Sequence, residues 1–201
     1  MTELMFFEKG HIYMVGGERL PSVSDLVRFM SREVYKDAQP WRLEAAAAKG
    51  TAVHQATELL DATGTAEIDG DYQGYLRAYA AFLNEHEVSW ELTEYADYHP
   101  ELKYAGTIDR YGTVDGQRLL VDIKSTATTY IPLWTASVNL YRMMLERRGW
   151  EIDGLAILHL KKDGKYKLIT LEKDDAVPNA LLLLHDKLKK KPRRKNSERR
   201  E

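Results

Sequence analysis

The chain is expected to form an α+β fold, a central mixed sheet with antiparallel hairpins flanked by helices. Three observations predict it. Asp115-Gly116 stands between two apolar runs and Asp163-Gly164 between two more, and an Asp-Gly pair in that setting marks a hairpin turn. Apolar side chains elsewhere recur at helical spacing, most clearly Tyr72, Tyr75, Leu76, Tyr79 and Phe82. The 201 residues, 44% of them hydrophobic, suffice for one packed core and are too few to favour two domains.

In chain order, Met5–Glu8 and His11–Val15 read as a short hairpin across Lys9-Gly10, followed by a turn at Gly16-Gly17. Pro21-Ser22 opens a helical pattern to about Met30. Pro40 suits the first turn of a longer helix, where its missing N–H costs nothing, and that helix runs to about Asp61 with Gly50 inside it. Thr63–Gly70 is a loop, Asp71–Glu87 an amphipathic helix, Ser89–Tyr98 a strand and His99–Lys103 a connection. The Asp115-Gly116 hairpin follows, then a helix over Leu133–Arg148. Ile152–Leu160 and Tyr166–Leu171 pair across Asp163-Gly164, and Ala176–Leu188 is a final helix. Residues 1–186 form the expected domain, and 187–201 a basic, unstructured tail.

Composition narrows the chemistry. Without cysteine there are no disulfides, thiolate zinc sites or iron–sulfur clusters, so any metal binds through carboxylate, imidazole, carbonyl and water, a donor set that favours Mg²⁺ or Mn²⁺. No apolar run is long enough to span a bilayer, and Met1–Lys9 lacks the pattern of a signal peptide, so no membrane partner is expected and the cytoplasm is the expected compartment. The net charge of −2 hides an asymmetry: from Lys187 onward nine Lys/Arg face two Glu, leaving an acidic body. An acidic body does not advertise nucleic-acid binding, which would need a local basic groove or this tail.

The central hairpin carries the sharpest signal. With Asp115-Gly116 as a two-residue loop, Val114 faces Gln117, and counting outward sets Asp109 opposite Asp122. Paired like charges are destabilising at such a distance, and a divalent cation between the carboxylates reverses the penalty. Lys124 shares the face of Asp122, because strand side chains alternate. Two carboxylates and an ammonium at one spot are the makings of a metal-dependent phosphodiester-cleaving centre. Upstream, His54 and Glu58 share one helical face four residues apart, and Gly50 one turn before His54 permits close approach of a neighbouring backbone.

Four ordered motifs between about Phe6 and Glu146 resemble the PD-(D/E)XK nuclease superfamily, in its RecB-like, phage-type exonuclease branch. Gly50-Thr-Ala-Val-His54 resembles the helical motif whose histidine binds metal, Gly106-Thr-Ile-Asp109 the second motif, and Val121-Asp122-Ile-Lys124 the D-x-K core. Tyr141 falls at the tyrosine of the later helical motif, with Ser137 where the family carries glutamine. His11-Ile-Tyr13 followed by Leu20-Pro-Ser-Val23 is similar to the opening of this group.

The resemblance implies a restriction-endonuclease-like core and a Mg²⁺- or Mn²⁺-dependent DNA exonuclease of recombination, repair or phage type. It implies Asp109, Asp122 and Lys124 as catalytic residues, with His54, Asp109, Asp122 and the Ile123 carbonyl as metal ligands. Glu58, Glu94 and Tyr141 are further candidates: Glu58 to orient His54, to reach the metal through water or simply to lie on the surface, Glu94 beside the metal or as an exposed strand residue, and Tyr141 to orient DNA or to pack as a core aromatic at helical spacing. DNA is the expected partner, with a homo-oligomer or a recombination protein as further candidates. Two other readings stay open, a nuclease fold kept as a DNA-binding or assembly module and a structure-specific endonuclease.

Overall fold

A computed structural model describes residues 3–7 and 10–189 of the chain. Its elements are β1 Leu4–Phe7, β2 Ile12–Val15, β3 Glu18–Leu20, α1 Val23–Leu26, α2 Arg28–Val34, α3 Pro40–Thr63, α4 Gln73–Glu85, β4 Val88–His99, β5 Tyr104–Val114, β6 Gln117–Lys124, α5 Ile131–Arg147, β7 Gly154–Leu160, β8 Tyr166–Leu171 and α6 Ala176–Lys189.

The Asp115-Gly116 turn sets the register of the central hairpin. Both residues have positive φ (49° and 81°), the conformation whose twist suits a two-residue loop between strands, and Val114 pairs with Gln117 as the count requires. Asp115 also accepts the N–H of Glu87 and meets His86 Nδ1 at 2.6 Å, so the turn is clamped to the end of α4. Beyond β6 the chain crosses through α5 and returns as β7 parallel to β6, because a helical crossover brings the next strand back in the same direction. The result is a mixed five-stranded sheet, order β4-β5-β6-β7-β8, flanked by helices as expected.

Helices cover both faces. On one, Leu120, Leu155 and Ile157 pack with Val138, Leu140, Met144 and Leu145 of α5 and with Val23 and Leu26 of α1. On the other, Val121, Ile123, Ala156 and Leu158 pack with Val53 of α3 and with Tyr75, Ala78, Tyr79 and Phe82 of α4. Burial on both faces explains why β6 and β7 read as nearly continuous apolar runs. Lys49 Nζ donates to the Ser125 carbonyl at 2.7 Å and ties α3 to the exit of β6.

Three expectations change. Glu18–Leu20 is a third strand, paired with β2 across Gly16-Gly17, which both take positive φ; two of its three residues are charged or exposed, which hides it in the sequence. The single helix expected from Pro21 starts under a Ser22/Asp25 capping box but is interrupted at Val27, whose ψ of 1° and buried side chain separate α1 from α2. The last helix runs past the expected domain boundary to Lys189, so Lys187 belongs to it; the basic tail from residue 190 onward, like Glu8 and Lys9 of the first hairpin, lies outside the described residues. Among the described residues, no helix is long and apolar enough to cross a membrane.

Candidate metal centre

The site lies where two central strands part. β5 stays paired with β4 to His99–Tyr104, and β6 stays paired with β7 to Lys124–His159, yet β5 and β6 pair only from the turn to Arg110–Val121. Asp109 and Asp122 are the next residues outward, at the mouth of this fork. Asp109 Oδ2 accepts the Ile123 N–H at 2.7 Å and so satisfies an amide that has left the ladder. Both carboxylates are buried, Asp109 at 8% and Asp122 at 5% exposure.

α3 delivers His54 to the fork. Its Nε2 lies 3.1 Å from the Ile123 carbonyl, and its Nδ1 lies 3.1 Å from Glu94 Oε1 and 3.7 Å from Asp109 Oδ1. Acceptors face both ring nitrogens, which makes the ring an imidazolium. Burial opposes that charge, but Asp109 and the hydrogen bond and charge of Glu94 overcome it and raise the pKa to about 9. His54, Glu94 and Asp109 offer ligand atoms all within 4.8 Å of one another.

Glu94 reaches this cluster through an unusual backbone. Thr93 pairs with Arg110 and Tyr95 with Ile108, so Glu94 falls opposite Asp109, and its φ is 45°. A non-glycine residue in the left-handed region costs about 1–3 kcal/mol and persists where the surroundings over-determine it. Burial raises the Glu94 pKa, but the hydrogen bond and charge of His54, then Arg110, hold the carboxyl below its usual range.

Asp122 lies outside the 4.8 Å cluster, the main difference from the expected ligand set. Its Oδ2 is 2.5 Å from Lys124 Nζ, an ion pair without hydrogen-bond alignment. Burial pushes Asp122 up to about 6 against the pull of Lys124, and Asp109 adds to the rise. Lys124 responds in the opposite sense: burial works against its charge, but Asp122 and then Asp109 hold the ammonium protonated above the ordinary lysine range. Tyr141 of α5, its ring against Gly106 three residues before Asp109, is raised well above the usual phenol value by burial, then by the charges of Asp122 and Asp109.

Gly106 makes room for that ring. A Cβ there would stand 2.6 Å from Tyr141 Cε1 and 3.1 Å from Val23 Cγ2. Gly106→Ala should therefore push Tyr141 away from the fork and cost about 1–3 kcal/mol of stability, as overpacking does; a melting curve matching wild type would show the contact to be relaxed at no cost.

Other candidates fall elsewhere. Glu58 is exposed and lines a cleft of about 470 Å³ with Asp61, Trp90 and Thr93. Ser137, at the glutamine position of the resembled motif, donates to the Leu133 carbonyl one turn back. Asn139, buried on the same helix, bonds the Thr135 and Glu172 carbonyls, Arg142 and the Asp174 N–H, and so locks α5 to the chain before α6. Arg110 is absent from the expected set yet wholly buried behind Glu94; a charged residue beside Asp109 in a strand gives no sign in the sequence that it faces inward.

The donors suit a hard divalent cation. The fork gathers two carboxylates and a backbone carbonyl around one imidazole, with Asp122 next to them and no sulfur, and the protein already fills it with the positive charge of His54. That charge gives a pH signature. Because the folded pKa of about 9 exceeds the ordinary 6.5, its stabilisation is complete below pH 6.5 and is lost as pH rises through 9. Melting temperature in EDTA should fall over that range in wild type and stay flatter in His54→Gln; identical slopes would contradict the imidazolium.

No protein-family model matches the chain, and no curated protein matches it.

Proposed function

We propose that this chain is a Mg²⁺- or Mn²⁺-dependent deoxyribonuclease, an exonuclease working in DNA recombination or repair in the cytoplasm of a bacterial or phage-infected cell. One observation carries the chemistry: Asp109, Asp122, Lys124 and His54 converge where β5 and β6 part, beside a backbone carbonyl. DNA and attack from an end come from the resemblance to RecB-like nucleases.

Asp109, Asp122, the Ile123 carbonyl and, once it has released a proton, His54 would hold the cation, with Glu94 beside His54. A bound Mg²⁺ or Mn²⁺ supplies Lewis acidity to phosphate oxygens and acidifies a water molecule. The chain's own groups do the rest. Asp109 holds the Asp122–Ile123 peptide through the Ile123 N–H, one peptide before the carbonyl. Lys124, held protonated by Asp122 and Asp109, is a positive charge for the negative charge that grows on the phosphoryl group. Tyr141 keeps its proton as a phenol and can donate to a phosphate. Burial of the carboxylates excludes bulk water, which strengthens each of these interactions.

Linear and covalently closed circular DNA, each incubated with Mg²⁺ and with EDTA, test the reading. Loss of the linear form alone, only with Mg²⁺, is expected. Cleavage of both forms would make the protein an endonuclease, and cleavage of neither would leave a binding module.

A further inference from the structure

Arg110 is the largest fully buried side chain among the described residues, and all three of its guanidinium nitrogens donate. Nε donates to Asp61 Oδ2 at 2.8 Å and to Tyr79 Oη at 3.4 Å, one terminal nitrogen donates to Glu94 Oε1 at 3.1 Å and to the Asp109 carbonyl at 2.6 Å, and the other donates to Thr57 Oγ1 at 3.1 Å. Thr57 in turn donates to the His54 carbonyl at 2.9 Å. One guanidinium therefore touches α3, α4, β4 and β5, the elements that carry three of the candidate ligands.

Burying an arginine is costly unless its charge is matched, and here two carboxylates match it. Their surroundings differ. Asp61 accepts the Tyr79 hydroxyl at both of its oxygens at 2.8 Å, whereas Glu94 Oε1 is shared between Arg110 and His54. Asp61 thus anchors Arg110, and Arg110 holds Glu94. The left-handed φ of Glu94 needs such a hold, since a strained residue relaxes when nothing over-determines it.

We infer that Arg110 is a positioning residue of the metal centre: anchored by Asp61, it fixes the Glu94 carboxylate against His54 so that the fork is organised to accept a divalent cation. The inference rests on the metal-centre reading above. A planar guanidinium bridges Asp61, Glu94 and Thr57 at once, which a lysine ammonium on a flexible stem does not do.

Mn²⁺ titration followed by electron paramagnetic resonance, on wild type, Arg110→Lys, Glu94→Gln and the double variant, tests it, with circular dichroism confirming the fold of each. Arg110→Lys should weaken Mn²⁺ binding about 10–100-fold, the usual scale for a group that orients metal ligands, and should add little once Glu94 is already glutamine. Equal weakening in both backgrounds would make Arg110 a general stabiliser and overturn the inference. Should Arg110→Lys fail to fold, the Arg110 guanidinium N–H resonances decide instead. Mg²⁺ should shift them in wild type and leave them in place in Glu94→Gln, and shifts of equal size in both proteins would overturn the inference. Absence of Mn²⁺ binding in wild type would instead sink the metal-centre reading and Arg110's role with it.

Discussion

Asp122→Asn should abolish phosphodiester cleavage while the protein stays folded. The amide keeps the shape of the side chain and loses the charge that a cation needs. Folding should tolerate it because the native protein already holds this carboxyl unwillingly, with burial raising its pKa to about 6. Lys124 loses its close partner, but it is 27% exposed and Asp109 remains nearby to support its charge. Removing one preorganised electrostatic group from an active site commonly costs about 10²–10³ in rate, and a lost metal ligand should cost at least that. End-labelled linear DNA with Mg²⁺, alongside a melting curve, measures both halves. Full activity in the purified variant would end the nuclease reading, and an unfolded variant would show that the carboxylate is structural.

Lys124→Ala should separate binding from turnover. Its ammonium is the nearest positive charge to Asp122, and it also disfavours the imidazolium of His54. Removing it takes away a competing cation but lets His54 and Asp122 keep their protons more readily, so Mn²⁺ affinity should change far less than turnover. Turnover should nonetheless fall about 10²–10³-fold, because the positive charge opposite the developing negative charge is gone. Equal losses in affinity and turnover would make Lys124 part of the cation's scaffold instead.

Much of this geometry could be read from residue order alone, and the reason is the turn. A two-residue loop with two positive-φ positions leaves the strands one register, so the count from Asp115-Gly116 holds to Arg110–Val121, but the ladder ends there, one residue short of the expected pairing of Asp109 with Asp122. Glu94 resists the same count. Pairing shifts between Trp90 and Leu92, so strand alternation breaks before it reaches the fork, and only contact with His54 shows where the carboxylate points. Arg110 looks like a surface charge because its partners Thr57, Asp61 and Tyr79 come from 31 to 53 residues away, on helices whose placement no local pattern gives. Glu58 is exposed, in keeping with the surface reading left open for it: two residues four apart share a helix face, but spacing alone does not say how far along that face a site extends. The short strand Glu18–Leu20 was hidden because its exposed residues show no alternation to detect.

A crystal grown with Mn²⁺ and measured at the manganese absorption edge examines the fork itself. An anomalous peak is expected where β5 and β6 part, within bonding distance of Asp109, Asp122, His54 and the Ile123 carbonyl, with Glu94 still held by Arg110. A fork without manganese at saturating concentration, its carboxylates and imidazole still bonded only to one another, would contradict it.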